Sequence, residues 1–276
     1  MWVKRSPAGE GENDNDDGND SARRLQGART MNQPLVIAHR GWSDIAPENT
    51  LVSFEKALTL PVEATECDVH LTRDGHVVVM HDPTVDRTTN GSGAIAEMTL
   101  EEIRGLDAGS WKGSEYAGEK VPLLSELLAL IRGKVLLALE IKAEEIPTQV
   151  VKEIRKADAI RDVAIISFSF ETCQAVRAIE PRLPVCFLCL GVQPGDDAGA
   201  WELTEKVLAG GLQGMSCLHH GVTPELRRAT KKRGLSLWAW TMDDEASLQA
   251  MIDVGVDTVT SNKPDLALGQ VQGKWL

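Results

Sequence analysis

From Leu35 onward the chain repeats one pattern: a short apolar run, then a stretch with helical spacing of its apolar residues. The runs are 35–39 "LVIAH", 62–69 "VEATECDV", 135–141 "VLLALEI", 163–168 "VAIISF", 185–190 "VCFLCL", 213–218 "QGMSCL", 235–241 "LSLWAWT" and 256–260 "VDTVT". Helical stretches at 49–59, 147–157, 171–179, 224–233 and 243–254 fall between them. Strands that alternate with helices build βαβ units and hence a parallel sheet. Eight such units imply a closed α/β barrel, the TIM (β/α)8 architecture, and 276 residues suffice for a fold that takes about 250.

A ninth run breaks the repeat. In "ECDVHLTRDGHVVVMHD" the second strand meets Asp74-Gly75, a tight-turn signal, and is followed by "VVVMH". This is the returning arm of a hairpin rather than a stave. A two-residue turn at Asp74-Gly75 sets Asp68 opposite His81, which brings the histidine back to the mouth of the barrel. Residues 83–120 then form an insertion rich in turn signals at that C-terminal face, with Thr99 and Glu102 spaced as a capping box. Residues 1–33 are polar, rich in Gly, Asn and Asp, and aperiodic; they read as a disordered tail ahead of a barrel at 34–270.

Residues i and i+2 of a strand share a face. Glu66 and Asp68 therefore point together, as do Glu140 and Lys142 in "LEIK". An E-x-D pair can simply face water on an exposed strand. At the ends of apolar staves, however, buried charges must be paired or bound. Three carboxylates meeting one lysine repel one another unless a cation sits among them, and hard oxygen ligands favour Mg²⁺ or Ca²⁺ over zinc. His39-Arg40 follows the first stave: Arg offers a planar fork for phosphate oxygens and His a proton shuttle near neutral pH. Either could equally be a loop-capping pair. Taken together, these groups are the parts that phosphodiester cleavage requires.

The net charge of −12 argues against a nucleic-acid partner, which calls for a basic footprint. Five scattered cysteines do not make a disulfide framework and suggest a reducing, cytoplasmic compartment. Cys186 and Cys189 lie three apart in one strand and so point to opposite faces. No apolar run is long enough for a transmembrane segment. His70 and His76 read as surface positions of the hairpin, and His219-His220 as a solvated loop. Oligomeric state is not legible.

The runs "AHRGWSDIAPENTLVSFEKAL", "ECDVHLTRDGHVVVMHDPTVDRTTNGSG", "VPLLSELL", "LALEIK", "WAWTMD" and "GVDTVTSNKPD", in this order across 34–268, resemble the glycerophosphodiester phosphodiesterase family. The resemblance implies a TIM barrel of the PLC-like phosphodiesterase type and a small-molecule glycerophosphodiester substrate. It also implies a divalent cation, Mg²⁺ or Ca²⁺, held by Glu66, Asp68 and Glu140. His39 and His81 match the family's acid–base histidines, Arg40 and Lys142 match positions near the phosphate, and Trp240 matches an aromatic pocket residue. The reaction implied is hydrolysis to glycerol 3-phosphate and an alcohol, with water or the substrate's own 2-hydroxyl as nucleophile. Two departures stand out: Asp243 in "WTMD", where the family often has Asn, and "SNKPD", where "TDRPD" is frequent. Two rival functions share these residues. One is a lysophospholipase D, with Leu188, Leu190 and Met242 supplying an apolar groove; the other is a barrel that binds phosphodiesters without cleaving them.

Overall fold

A computed structural model describes residues 33–273, so the expected polar tail lies, apart from Gln33, outside the described residues. Strand β1 spans Leu35–Ala38, β2 Ala64–Leu71, β3 Val77–Val79, β4 Leu136–Ile141 and β5 Val163–Ser167. Strand β6 spans Val185–Cys189, β7 Gly214–Leu218, β8 Ser236–Trp240 and β9 Thr258–Ser261. All but β3 pair in parallel, from β1 through β2 and β4 to β9, and β9 returns to β1. This is the closed eight-stave barrel expected from the repeat. The helices Leu51–Ala57, Pro147–Lys156, Phe170–Ile179, Pro224–Arg233 and Glu245–Val254 fall where the spacing puts them. Three more helices span Leu124–Ile131, Asp197–Ala209 and Pro264–Gln272.

Alternation along the staves sorts the core into two layers. Outward residues such as Val36, Cys67, Leu139, Ile165 and Leu237 pack under the helices. Inward residues Ile37, Ala64, Ala138, Ala164, Ile166, Cys186, Leu188 and Trp238 fill the barrel itself. Three small alanines on β2, β4 and β5 leave room for Trp238 and Leu188 across the bore. Cys186 lies in the inner layer and Cys189 packs against the outer one, the opposite faces that their spacing implies. The barrel's floor is therefore closed, and only the C-terminal end of the staves is free to hold chemistry. One step and two steps above Ala64 on the inner face stand Glu66 and Asp68; above Ala138 stand Glu140 and Lys142. The parallel register sets Asp68 directly beside Glu140.

The hairpin register differs by one residue from that expected. Val69 pairs with Val79, His70 with Val78 and Leu71 with Val77. The loop has three residues, closed by the Thr72 amide donating to His76 O and the Gly75 amide to Thr72 O. Gly75 adopts φ +84°, the left-handed residue that three-residue hairpin loops require. Met80, not His81, thus stands opposite Asp68, its amide donating to Asp68 O. A one-residue slip reverses the faces of the returning arm. Val78 and Met80 consequently join Val85, Ile95, Ile103, Ala108 and Val121 in a small separate core under the insertion. Helix Leu100–Gly105 in this insertion carries the expected capping box between Thr99 and Glu102.

Candidate active site

Glu66, Asp68 and Glu140 are all buried, and each presents one carboxylate oxygen within 4.8 Å of the other two. Lys142 Nζ lies 2.7 Å from Glu140 Oε1 and 2.9 Å from Asp68 Oδ1. Arg40 Nε lies 3.2 Å from Asp68 Oδ2, which also accepts from Asn49 Nδ2 at 2.9 Å. Asp68 Oδ1 is fully buried, with the Lys142 ammonium as its close cationic neighbour. Three buried carboxylate oxygens this close to one another are the all-oxygen donor set that fits a hard divalent cation.

The loop after β1 explains the run His39-Arg40-Gly41. Arg40 takes a left-handed φ of +56°, a conformation costly for any residue with a Cβ, and its amide donates to Glu66 Oε2 at 3.1 Å. Gly41 follows at φ +81°. A Cβ there would come within 2.5–2.7 Å of the backbone of Ser53, so only glycine fits this close approach. The tight turn aims His39 into the barrel mouth, with Nε2 3.7 Å from Glu66 Oε2. His39 Nδ1 meets Asn262 Oδ1 at 2.7 Å.

His81 reaches the same cavity from the other side, by a bend after Met80 that carries the chain off the hairpin ladder. Its Nδ1 lies 2.6 Å from Asp82 Oδ1. Arg87 clamps Asp82 through Nε at 2.8 Å and Nη2 at 3.1 Å, and also spans both oxygens of Glu48. Glu48 accepts in turn from Arg40 Nη1 at 2.9 Å. A chain of alternating charges therefore runs from Arg40 through Glu48, Arg87 and Asp82 to His81.

These contacts set the protonation states. Burial pushes the His39 imidazole down to about 4, and the neighbouring Arg40 charge acts in the same direction. Burial works against the Asp68 carboxylate, yet Lys142 and Arg40 outweigh it and hold that group well below the usual range. Glu66 is driven well above the usual range by burial and by the Asp68 charge. Glu140 rises to about 7 for the same two reasons. The Arg87 hydrogen bonds keep Asp82 well below the ordinary carboxylate range. Without a cation the cluster thus holds one firm negative charge at Asp68, while Glu66 and Glu140 are both shifted toward their protonated forms.

Seven of the eight expected residues line one cavity of about 110 Å³: His39, Arg40, Glu66, His81, Glu140, Lys142 and Trp240. Asp68 lies directly beneath them, fully buried. Trp240 meets Phe168 edge-on, with ring centroids 5.7 Å apart, and donates from Nε1 to Ser216 O. Phe168, Asn262, Asp82, Arg87 and Glu48 were not anticipated as members of the site. The adjacent pair His81-Asp82 is the one local signal among them; the others come from loops whose ends meet only when the barrel closes. His70 corrects its surface reading, being buried with Nε2 3.0 Å from His81 O, while His76 is exposed as expected. Of the three residues suggested for an apolar groove, Leu188 lines the cavity and Leu190 is exposed. Met242 is fully buried in the outer layer and cannot contribute. Among the described residues no helix is long and apolar enough to cross a membrane.

The sequence profile of the Glycerophosphoryl diester phosphodiesterase family matches residues 39–266. A glycerophosphodiester phosphodiesterase of Caldanaerobacter subterraneus is 38% identical over 246 residues, 86% of this chain and 98% of its own. One from Bacillus subtilis is 32% identical over 252 residues, 84% of both chains. Among solved structures, an Oleispira antarctica phosphodiesterase in complex with its product sn-glycerol-3-phosphate superposes with a TM-score of 0.78. Its identity is 30%, covering 87% of this chain and 97% of that one.

Proposed function

The chain belongs to the glycerophosphoryl diester phosphodiesterase family and is a phosphoric diester hydrolase, and from that premise we propose how its residues carry the reaction. The substrate is a glycerophosphodiester such as glycerophosphocholine or glycerophosphoethanolamine, and the products are glycerol 3-phosphate and an alcohol. The observation that carries this reading is the meeting of three acidic oxygens, two cationic side chains and two imidazoles at one barrel mouth.

Glu66, Asp68 and Glu140 would hold Mg²⁺ or Ca²⁺; such an ion neutralises charge on phosphoryl oxygens. The all-oxygen donor set and its burial support this choice. Arg40 and Lys142 are anchored by the same carboxylates and line the cavity, where their charge can oppose that of a phosphodiester. His39 is neutral at physiological pH and takes the proton from the nucleophile, water or the glycerol 2-hydroxyl. His81, backed by the charged Asp82, delivers a proton to the departing alkoxide. Each transfer is typically worth about 10²–10⁴ in rate. Trp240 and Phe168 form the apolar wall of the same cavity and bound the organic part of the substrate. Five free cysteines, two with sulfurs 3.4 Å apart, fit a reducing cytoplasmic compartment.

Exhaustive chelation should silence the enzyme and added Mg²⁺ or Ca²⁺ restore it; undiminished activity in EDTA would remove the cation from this scheme. A panel of glycerophosphodiesters together with a lysophosphatidylcholine, assayed for released glycerol 3-phosphate, tests the substrate class. Turnover of the lysolipid alone would replace the assignment with lysophospholipase D.

A further inference from the structure

His39 is not held by a carboxylate. Its partner is the Asn262 side-chain amide, and a carboxylate stands one residue further out. The loop after β8 carries Asp243 and the loop after β9 carries Asn262; the two side chains meet, Asn262 Nδ2 donating to Asp243 Oδ2 at 2.6 Å. Asp243 Oδ1 accepts from the Asn262 amide at 2.8 Å and from Ser261 Oγ at 3.0 Å. An ionised carboxylate only accepts. The NH₂ end of Asn262 must therefore face Asp243, and its oxygen must face His39 Nδ1 at 2.7 Å and Ser43 Oγ at 2.8 Å. An amide oxygen likewise only accepts, so Nδ1 of His39 must carry the hydrogen. In a neutral ring the lone pair then lies on Nε2, the nitrogen that faces Glu66 across the cavity.

We propose that Asp243 and Asn262 are positioning residues that fix the tautomer of His39, Asp243 by dictating which end of the Asn262 amide the imidazole meets. Neither residue touches the reacting atoms. The proposal rests on His39 being the proton acceptor. The two residues lie on loops after adjacent staves, and the bond between their side chains links the proposal's two positions directly. The bonds from Ser261 and the Asn262 backbone end on the Asp243 carboxylate, and the bond from His39 ends on the Asn262 side-chain oxygen. The negative charge, however, sits one side chain away from the imidazole.

Substituting Asp243→Asn alone breaks this polarity. To keep the bonds from Ser261 and the Asn262 backbone, the new amide must offer them its oxygen, which leaves its NH₂ facing the NH₂ of Asn262. Asn262 escapes by turning over and then donates to His39 Nδ1. The ring must shift its hydrogen to Nε2 and loses the lone pair that faces the cavity. The doubly exchanged Asp243→Asn/Asn262→Asp chain restores the count of the bonds and an acceptor facing His39 Nδ1, with only the 243–262 side-chain bond reversed in direction. The amide introduced at position 243 then donates to the carboxylate introduced at position 262, and that carboxylate accepts from His39.

The test uses the full chain with Mg²⁺, ¹⁵N-labelled at histidine, at a pH where the rings are neutral. In the parent, long-range ¹H–¹⁵N correlations should show His39 protonated at Nδ1. In Asp243→Asn they should show Nε2–H, with kcat lowered about 10–100-fold, the usual effect of losing an imidazole's outer partner, and KM within about twofold. The double exchange should return both the Nδ1–H signature and most of kcat. A His39 that keeps its Nδ1–H tautomer in Asp243→Asn overturns the proposal. So does a double variant that folds yet shows the single variant's loss, an outcome that decides the matter even if Asp243→Asn fails to fold. If His39→Ala retains parental turnover, it is the assignment of His39 as proton acceptor that falls.

Discussion

The two imidazoles of the site occupy opposite environments. His39 sits on the end of a barrel stave, buried, beside the Arg40 charge, with a neutral amide as its partner. His81 sits on a folded-back arm, about a third exposed, with a carboxylate as its partner and a second cation behind that. Burial and the Arg40 charge favour an uncharged His39 ring, whereas a carboxylate partner accommodates a charged one. In the proposed scheme one side of the cavity accepts a proton and the other supplies one. Two chemically identical side chains acquire distinct tasks from what surrounds them. The comparison teaches that burial on one side and the Asp82 carboxylate on the other set the two rings apart.

The largest expected effects come from deleting each ring in turn. His39→Ala and His81→Ala should each lower kcat by about 10²–10⁴ with the thermal transition unchanged. A substrate with a p-nitrophenolate leaving group separates them. That group departs without protonation, so it should rescue His81→Ala and leave His39→Ala inactive. Rescue of both or of neither breaks the comparison. A His39 ring found protonated at pH 6 by NMR would break it as well, because burial places its titration near 4.

Much of this contrast was legible before any fold was known, and the remainder has a physical reason for being hidden. Period-two alternation placed Glu66 with Asp68 and Glu140 with Lys142, and eight repeats closed the barrel. Local sequence could not supply the hairpin register, since Asp74-Gly75 serves a two-residue turn and a three-residue loop equally well. Only the fit of Val78 and Met80 against the insertion core selects the latter. His81 still reaches the site because the chain bends after Met80. Asn262 was hidden for a different reason: 223 positions separate it from His39, and they meet only because β9 returns to β1.

An effect of intermediate size is expected at the partner of His81. Asp82→Asn keeps the shape of the side chain but removes the charge that Arg87 holds in place. We expect kcat to fall about 10–100-fold, as for loss of a carboxylate that orients an imidazole, with the nitrophenyl substrate largely indifferent. Equal losses on natural and activated substrates would mean that Asp82 supports the fold of the arm rather than the departing group.

The smallest effect concerns the acids between the two rings, and it is read in stability. In the cation-free protein Glu140 is raised to about 7, first by burial and then by Asp68. An unfolded chain releases this proton near the ordinary glutamate value. Between that value and about 7 the folded state therefore binds the extra proton, and its stability must decline as pH rises through this window. Asp68, held low, has the opposite sign, and its contribution is lost only in strong acid. Glu140→Gln removes the first dependence and keeps the second. In EDTA, the Tm of the parent relative to Glu140→Gln should fall on going from pH 5 to pH 7. Added Mg²⁺ should reverse the trend, because a ligated carboxylate must give up its proton and binding tightens as pH climbs. A parent and variant whose Tm values run parallel across this range would mean that Glu140 is already ionised. The cluster would then carry more negative charge between the imidazoles than the geometry allots to it.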